Sequence, residues 1–321
     1  MLKYTLKRLG LALITFSIII FLVFVIIKSV PDFQLKPLDM SEEAWQVIVD
    51  REGWEKPILE QFVNWLRNIF VDGTFGFSHK QGRDASEILF SKIPTTLKLN
   101  IIPLILSIPI GISLGIVAVM KKNKMTDHVI STGVIVLISI PVFVLAMLLQ
   151  YFLVYVWEIL PSRYVATAEE WNADFWFGVK SYIMPIFVMT ISSIAGWTRS
   201  VRAELTEQLT ADYMLLARSK GLSKKQATFR HALKNAMVPF APSIFIEFIG
   251  LISGSLIIEQ IFRIDGVGRI YLEALNAKDY PLLMLNVCFY TAIGLIAGIL
   301  ADLSYSLLDP RIRVGSGKQN D

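Results

Sequence analysis

Three histidines, His79, His128 and His231, are the first residues to test for chemistry, and they fall in three separate segments. None has a companion at metal-ligand spacing, so metal catalysis has no donor set here. His231 suits a structural hydrogen bond better than proton transfer. The single cysteine, Cys288, lies in an apolar run and has no companion for an internal disulfide or a metal site. There is no serine elbow and no metalloprotease helix. The tail Val314-Gly315-Ser316-Gly317-Lys318-Gln319 has a faint likeness to a phosphate-cradling loop. It fails because the glycine spacing is wrong, Gln319 replaces the Ser or Thr, and no strand precedes it and no helix follows. The chain therefore reads as non-catalytic, with no cofactor of its own.

The elements that must position any working residue are apolar helices. Of 321 residues, 54% are hydrophobic and 18% are charged, and the mean hydropathy is +0.55. A soluble domain carries about 25% charged residues, so composition places this chain among membrane proteins. The formal charge of +4 is modest, and the basic residues cluster beside apolar runs rather than forming a nucleic-acid footprint. A helix needs roughly 20 mostly apolar residues to cross a bilayer. About six stretches qualify: 9–27, 97–119, 129–157, 182–197, 238–262 and 282–308. The third is long enough to require tilt, and the fourth is short. The first follows Lys3, Lys7 and Arg8 as a secretory signal would. Its apolar core is too long for one, however, and Lys28-Ser29-Val30-Pro31 is a poor cleavage site, so it reads as an uncleaved span. The expected fold is all-α and polytopic: an N-terminal span (1–30), a polar segment (31–96), a helical core (97–308) and a tail (309–321).

Lys and Arg in short loops set orientation. Lys3, Lys7 and Arg8, then Lys121, Lys122 and Lys124, then the basic segment 199–239, then Arg311, Arg313 and Lys318 all fall on one side of six spans. The opposite segment carries Asp39, Glu42, Glu43, Asp50, Glu52, Glu55 and Glu60. Both termini are expected in the cytoplasm. Within 31–96, Ser41 suits the cap of a helix over 42–50, and Pro57 suits the first position of another. In the latter, Ile58, Phe62, Trp65, Leu66, Ile69 and Phe70 recur at helical spacing. Such a stripe serves either packing on the bundle or docking of an outside partner.

Prolines 103, 109, 141 and 185 lie inside the spans, where they make either static kinks or points of rocking. The pairs Gly111/Gly115, Gly250/Gly254 and Gly294/Gly298 suit close helix approach, which puts spans 2, 5 and 6 in a tight core. Glu247 and Asp302 are acidic residues in apolar runs, and each would cost about 3 kcal/mol facing lipid at the bilayer centre. Both should face the bundle interior, water or a partner. Glu247 is the better candidate for a translocation path, and Asp302 reads as structural. Glu158 and Glu259 are expected at or beyond the outer interface.

The segment 210–239 is the most informative. Thr210 can cap a helix that has Asp212 in its second position, favourable at the positive end of the dipole. Gly221 suits the left-handed turn that closes this helix, after Arg218 and Lys220. Ser223 and Gln226 form a capping box that starts a second helix running into span 5 at Pro239. A short helix pair fixed to the ends of spans is a lever whose tip can seat in a soluble partner. The same features also fit an amphipathic hairpin lying on the membrane surface.

This loop resembles the EAA coupling loop of ABC importer permeases. It has Ala217 and Gly221 at that family's spacing, then Arg230-His231-Ala232-Leu233-Lys234-Asn235-Ala236 and Pro239. The chain is most similar to the oligopeptide, dipeptide and nickel permeases. The stretches Gly73-Thr74-Phe75-Gly76-Phe77-Ser78, Ile93-Pro94-Thr95-Thr96-Leu97, Thr198-Arg199-Ser200, Glu259 with Gly266-Val267-Gly268-Arg269, Lys278-Asp279-Tyr280-Pro281 and Leu308-Asp309-Pro310-Arg311-Ile312-Arg313 match it in order. The resemblance implies a type I ABC importer permease fold in a bacterial or archaeal cell membrane. It also implies a second homologous permease, two ATPase subunits that hold ATP and Mg, and an extracytoplasmic binding protein delivering most often a short peptide. By the same resemblance Asp212, Ala217, Gly221, Ser223, Arg230, His231, Asn235 and Pro239 belong to the ATPase-coupling loop. The chain departs from the family at Thr74, Phe77 and Asp265, all expected on the outer side. An ion-coupled secondary transporter, the alternative, should show paired broken helices in inverted halves, and no repeat is visible. A membrane scaffold would account for the spans but not the loop.

Overall fold

The computed structural model describes residues 2–30, 36, 40–53, 55–161 and 164–308. Pro31, Asp39 and the tail 309–321, with Arg311, Arg313 and Lys318, lie outside them. The chain runs α1 (Leu2–Ser29), α2 (Glu42–Glu52), α3 (Ile58–Arg67), a π turn (Asn68–Asp72), the short antiparallel strands β1 (Phe77–Ser78) and β2 (Arg83–Asp84), and α4 (Ala85–Met120). Next come α5 (Met125–Ser139), α6 (Val142–Gln150) with a π extension to Val156, α7 (Ala168–Ala173), α8 (Phe175–Thr210) and α9 (Asp212–Ser219). Then follow α10 (Lys224–Ala227), a π turn (Thr228–Ala232), α11 (Leu233–Ala236), α12 (Phe240–Gly250), α13 (Leu256–Ile261), α14 (Val267–Ala277) and α15 (Tyr280–Leu308).

The protein is all-α and polytopic. Among the described residues four helices are long and apolar enough to cross a membrane, Tyr4–Ser29, Ala85–Met120, Phe175–Thr210 and Tyr280–Ser304, or five if the bent pair Met125–Ser139 and Val142–Val156 counts as one broken span. The stretch expected as one long tilted span is instead two helices bent by 92°. The cause is Pro141, whose ring pushes Ile140 out of the helical region to φ −84°, ψ 119°. The stretch 238–262 is likewise no continuous helix. It breaks after Gly250, where Gly254 takes φ +68° and α13 starts anew from a Ser255 cap. The short fourth stretch, by contrast, grows into the 36 residues of α8. At 1.5 Å per residue α8 is about 54 Å long, well beyond a ~30 Å hydrocarbon core.

The bundle is built on α4 and α8, which run side by side in the same direction. A Cβ on Gly111 would lie 2.5 Å from the Trp197 Cβ, and one on Gly115 would lie 2.8 Å from that of Val201. The Thr198 hydroxyl donates to the Gly111 carbonyl across this seam (3.2 Å). Small residues permit the approach, as in other membrane helix pairs. The other two glycine pairs do not act this way. Nothing lies within 4 Å of a Cβ on Gly250, Gly294 or Gly298, and Gly254 sits in a turn.

α1 pairs antiparallel with α15: Phe24 meets the Tyr280 ring, and Arg8 holds Asp302 at 3.1 Å. α3 and the π turn that follows it cover this pair at one end through Ile58, Phe62, Trp65, Leu66 and Ile69. Ser41 caps α2 by accepting from the Ala44 N–H (3.2 Å). Pro57 stands one residue before the first helical position of α3. Phe70 leaves the packed stripe and is 81% exposed, because the π turn widens the helix there and swings it outward. The two ends of the bundle differ. One holds Lys7, Arg8, residues 121–124 and the 199–239 segment, and is strongly basic. The other holds α2, α3, the strand pair, α7 and the 251–269 segment.

Candidate coupling loop and its mounting

At the basic end α8 continues unbroken to Thr210, so the Thr210 hydroxyl bonds back to the Glu207 carbonyl (2.8 Å) and does not cap the next helix. Ala211 takes the cap position without a side-chain bond, and Asp212 becomes the first residue of α9. The end of α9 follows the expected geometry. Gly221 adopts φ +92°, its N–H meets the Arg218 carbonyl (3.0 Å), and the Leu222 N–H meets the Ala217 carbonyl (3.3 Å). The capping box is also present: the Gln226 N–H donates to the Ser223 hydroxyl (3.2 Å), and the Ser223 N–H donates to the Gln226 side chain (3.0 Å).

Side chains divide cleanly across this helix–turn–helix. Met214, Ala217, Ala227, Ala232 and Ala236 turn inward onto Val119 and Leu205. Four of these five are alanines, which let the hairpin lie close on α4 and α8. Outward stand Leu215 (67% exposed), Leu216 (58%) and Phe229, among Arg218, Lys220, Lys224 and Lys225. Around the Gly221 tip lies an open recess of about 490 Å³, lined by Leu215, Arg218, Leu222 and Gln226 among others. Of the residues singled out from the sequence, Ala217 is a packing residue. Asp212, Gly221, Ser223, Arg230, His231 and Asn235 face solvent, and Pro239 is half-buried where the hairpin joins α12.

Sequence reading missed the bolt that holds this mounting. Asp127, 2% exposed, accepts both Arg202 Nε (2.8 Å) and Arg202 Nη2 (3.1 Å). It also takes the Asn123 N–H and the Ser131 hydroxyl (both 3.1 Å). The start of α5 is thereby tied to α8 two turns before the hairpin. Arg202 was legible only as one basic charge among many; its partner lies 75 residues away.

Glu247 faces the bundle interior, as an acid in an apolar run must. Its carboxylate accepts the Trp197 indole N–H (3.1 and 3.2 Å), and Trp197 packs on Phe240 with ring centroids 5.7 Å apart. The three family departures lie at the other end. Thr74 bonds Asp84, Phe77 packs its ring on His79 (5.4 Å), and Asp265 pairs with Lys92 (2.5 Å). Glu259, expected near an interface, is fully buried there.

The sequence matches known proteins along almost its whole length. Residues 107–314 match the family model described as "Binding-protein-dependent transport system inner membrane component", and residues 1–100 match that of the N-terminal part of such membrane components. The dipeptide transport system permease protein DppB of Lactococcus lactis subsp. cremoris is 30% identical over 98% of this chain and 100% of its own length. DppB of Bacillus subtilis is 30% identical over 98% and 99%. The glutathione transport system permease protein GsiC of Escherichia coli K12 is also 30% identical over 98% and 99%. With the two models covering residues 1–100 and 107–314 and these relatives aligned almost end to end, this protein belongs to the family of binding-protein-dependent transport system inner membrane components and is a membrane permease subunit of an ABC importer.

Proposed function

We propose that this permease pairs with a second, homologous permease to form the path by which short peptides enter the cell, with a separate ATPase subunit gripping the 210–239 loop of each. An extracytoplasmic binding protein delivers the peptide at the end opposite the loop. ATP and Mg belong to the ATPases, and this chain binds neither. The basic end faces the cytoplasm with both termini, following the bias of Lys and Arg in short loops.

The observation that carries the reading is the form of the loop. It is capped at both sides of Gly221, packed onto α4 and α8 through alanines, and presents Leu215, Leu216 and Phe229 beside an open tip. A rigid body with an apolar, basic-rimmed tip transmits motion of whatever seats there to α8, which is long enough to reach through the membrane. A hairpin lying on the lipid surface needs no such rigid tip. The peptide assignment is supported by relatives named for dipeptide and glutathione transport.

The test is affinity purification of the tagged chain in mild detergent, with co-purifying proteins identified, followed by reconstitution. A second permease and ATPase subunits should come down together, and trialanine uptake should require ATP. Purification of this chain alone, transporting without ATP, would overturn the reading in favour of an ion-coupled transporter.

A further inference from the structure

A partly open space lies beside the bundle at the end opposite the loop. It is a cavity of about 860 Å³ between α4, the 164–172 segment, the start of α8 and the 262–269 turn. Its size is within the ~300–1,000 Å³ of small-molecule sites. We infer that this cavity is a receiving site for the C-terminal carboxylate of an incoming short peptide, with Lys98 as the principal anion-binding group. The inference rests on the peptide-import reading and names a recognition element within it.

Charge is the first argument. Lys98, Arg263, Arg269 and Asp265 are the charged residues of the lining. Asp265 is neutralised by Lys92 outside the cavity (2.5 Å). Arg269 is occupied through Nε with Glu273 (2.7 Å) and through Nη1 with the Arg263 carbonyl (2.9 Å). Arg263 is parked with its guanidinium carbon 4.0 Å from the Tyr164 ring centre. Lys98, by contrast, has no ionic or hydrogen-bond partner among the described residues. The cavity thus carries net positive charge with one ammonium uncommitted, which suits a single carboxylate.

Rigidity is the second argument. The Val165 N–H donates to the Phe262 carbonyl (3.0 Å), and the Ala166 N–H donates to the Ser181 hydroxyl (2.9 Å). These bonds fix one wall to the next. The 262–269 wall is anchored from behind by buried Glu259, which accepts the Arg269 N–H (3.1 Å) and the Thr96 hydroxyl (3.1 Å), while Thr96 accepts the Val267 N–H (2.8 Å). Arg263 is held at φ +51° in this wall. A non-glycine residue in the left-handed region is strained and persists where the surroundings over-determine it.

The lining chemistry is the third argument. Thr95, Lys98 and Ile102 share one face of α4, so the charge sits one turn from an apolar floor that Ile186 completes. Trp171 and Tyr182 supply aromatic walls, and Asn172 offers an amide for backbone pairing. An acid end, amide bonds and variable side chains are what a short peptide presents. A lipid phosphate would share the charge but, having only acceptors, could use only the donor half of the Asn172 amide, whereas a peptide bond can use both.

The experiment uses the whole transporter in liposomes, with trialanine and its C-terminal amide as the two solutes and the same binding protein throughout. Wild type should favour the free acid. Lys98→Gln should lower acid uptake about tenfold, equivalent to about 1.4 kcal/mol, with amide uptake unchanged, and Lys98→Arg should restore the acid preference. Purification of each variant with its partners controls for assembly. An acid-to-amide ratio that Lys98→Gln leaves intact in an assembled complex overturns this inference alone. A wild type that moves neither compound but imports another solute overturns the peptide reading itself. Loss of co-purified anionic phospholipid from Lys98→Gln, with the ratio unchanged, reassigns the cavity to lipid.

Discussion

Two segments link consecutive helices of the core, 210–239 at the basic end and 251–269 at the other, and they are held in opposite ways. The first is held from its backbone. A Gly221 closure and a Ser223–Gln226 box shape it, alanines seat it, and its larger side chains Leu215, Leu216 and Phe229 are left outside. The second is held from within. Glu259, Phe262, Ile264 and Val267 are all at most 1% exposed, and one buried carboxylate ties the turn together. A loop proposed to grip a partner keeps its outer surface free and takes its shape from caps. A loop that forms a wall can spend its side chains on its own rigidity. The two should therefore fail differently.

The largest effect is expected at Glu259. Glu259→Ala leaves the Thr96 hydroxyl and the Arg269 N–H, and the Gly268 backbone that also bonds the carboxylate, without an acceptor in a dry site. Buried unpaired donors cost about 1–3 kcal/mol each, so a loss of about 4 kcal/mol is expected. It is read as a lower melting temperature in detergent and faster hydrogen exchange over 253–269. Exchange over 210–239 should not change. Loosening of both segments together would break the claim that they are independent.

Next comes the bolt beneath the hairpin. Removing one member of a buried charge pair costs about 3–5 kcal/mol. Arg202 is 36% exposed, which lowers the figure to about 3 kcal/mol for Asp127→Ala. Adding Arg202→Ala should restore part of that loss, because no guanidinium is then left facing an empty site. Strictly additive losses in the double-mutant cycle would show that the pair is not energetically joined. ATPase stimulation by solute should fall in Asp127→Ala, since α5 no longer braces the helix that carries the loop.

The contrast also explains what the sequence disclosed. Caps act within four residues, so Ser41, Gly221 and the Ser223–Gln226 box were readable one residue at a time. So were the apolar runs of α1, α4 and α15. Thr210 misled because capping depends on whether the preceding helix has ended, and α8 had not. The break at Pro141 was visible as a residue but not as a 92° bend, since prolines inside membrane helices often only kink them. Asp127–Arg202 and Thr96–Glu259 join positions 75 and 163 residues apart, and no local pattern marks either partner. Glu259 is placed by residues on three sides; its spacing to its neighbours in sequence says only that it is an acid after an apolar run. The cavity beside Lys98 has the same character, being assembled from four segments.

Gly221 tests whether the tip acts by shape. Nothing lies within 4 Å of a Cβ at this position, so only its φ of +92° demands glycine. Gly221→Val should cost about 2 kcal/mol, locally, as a β-branched residue is forced out of the left-handed region. The chain should still insert and fold, yet lose ATPase subunits on purification. Gly221→Asn, which tolerates that region, should retain them. Normal ATPase assembly and transport by the valine variant would sink the lever.

The smallest effect, at Ser223, separates shape from stability. Ser223→Ala deletes the acceptor for the Gln226 N–H and half of the capping box, worth about 1 kcal/mol. The α10 backbone should exchange faster over 223–228, while the melting temperature of the whole chain stays within error, because α10 is a four-residue helix that little else leans on. If the tip works as a rigid body, this fraying alone should reduce coupling: solute-stimulated ATPase activity should drop two- to threefold with subunit assembly intact. Ser223→Asp, which restores an acceptor at the same position, should recover it. Unchanged coupling despite measurable fraying would mean that the grip lies in the exposed Leu215, Leu216 and Phe229 surface and not in the stiffness of the turn.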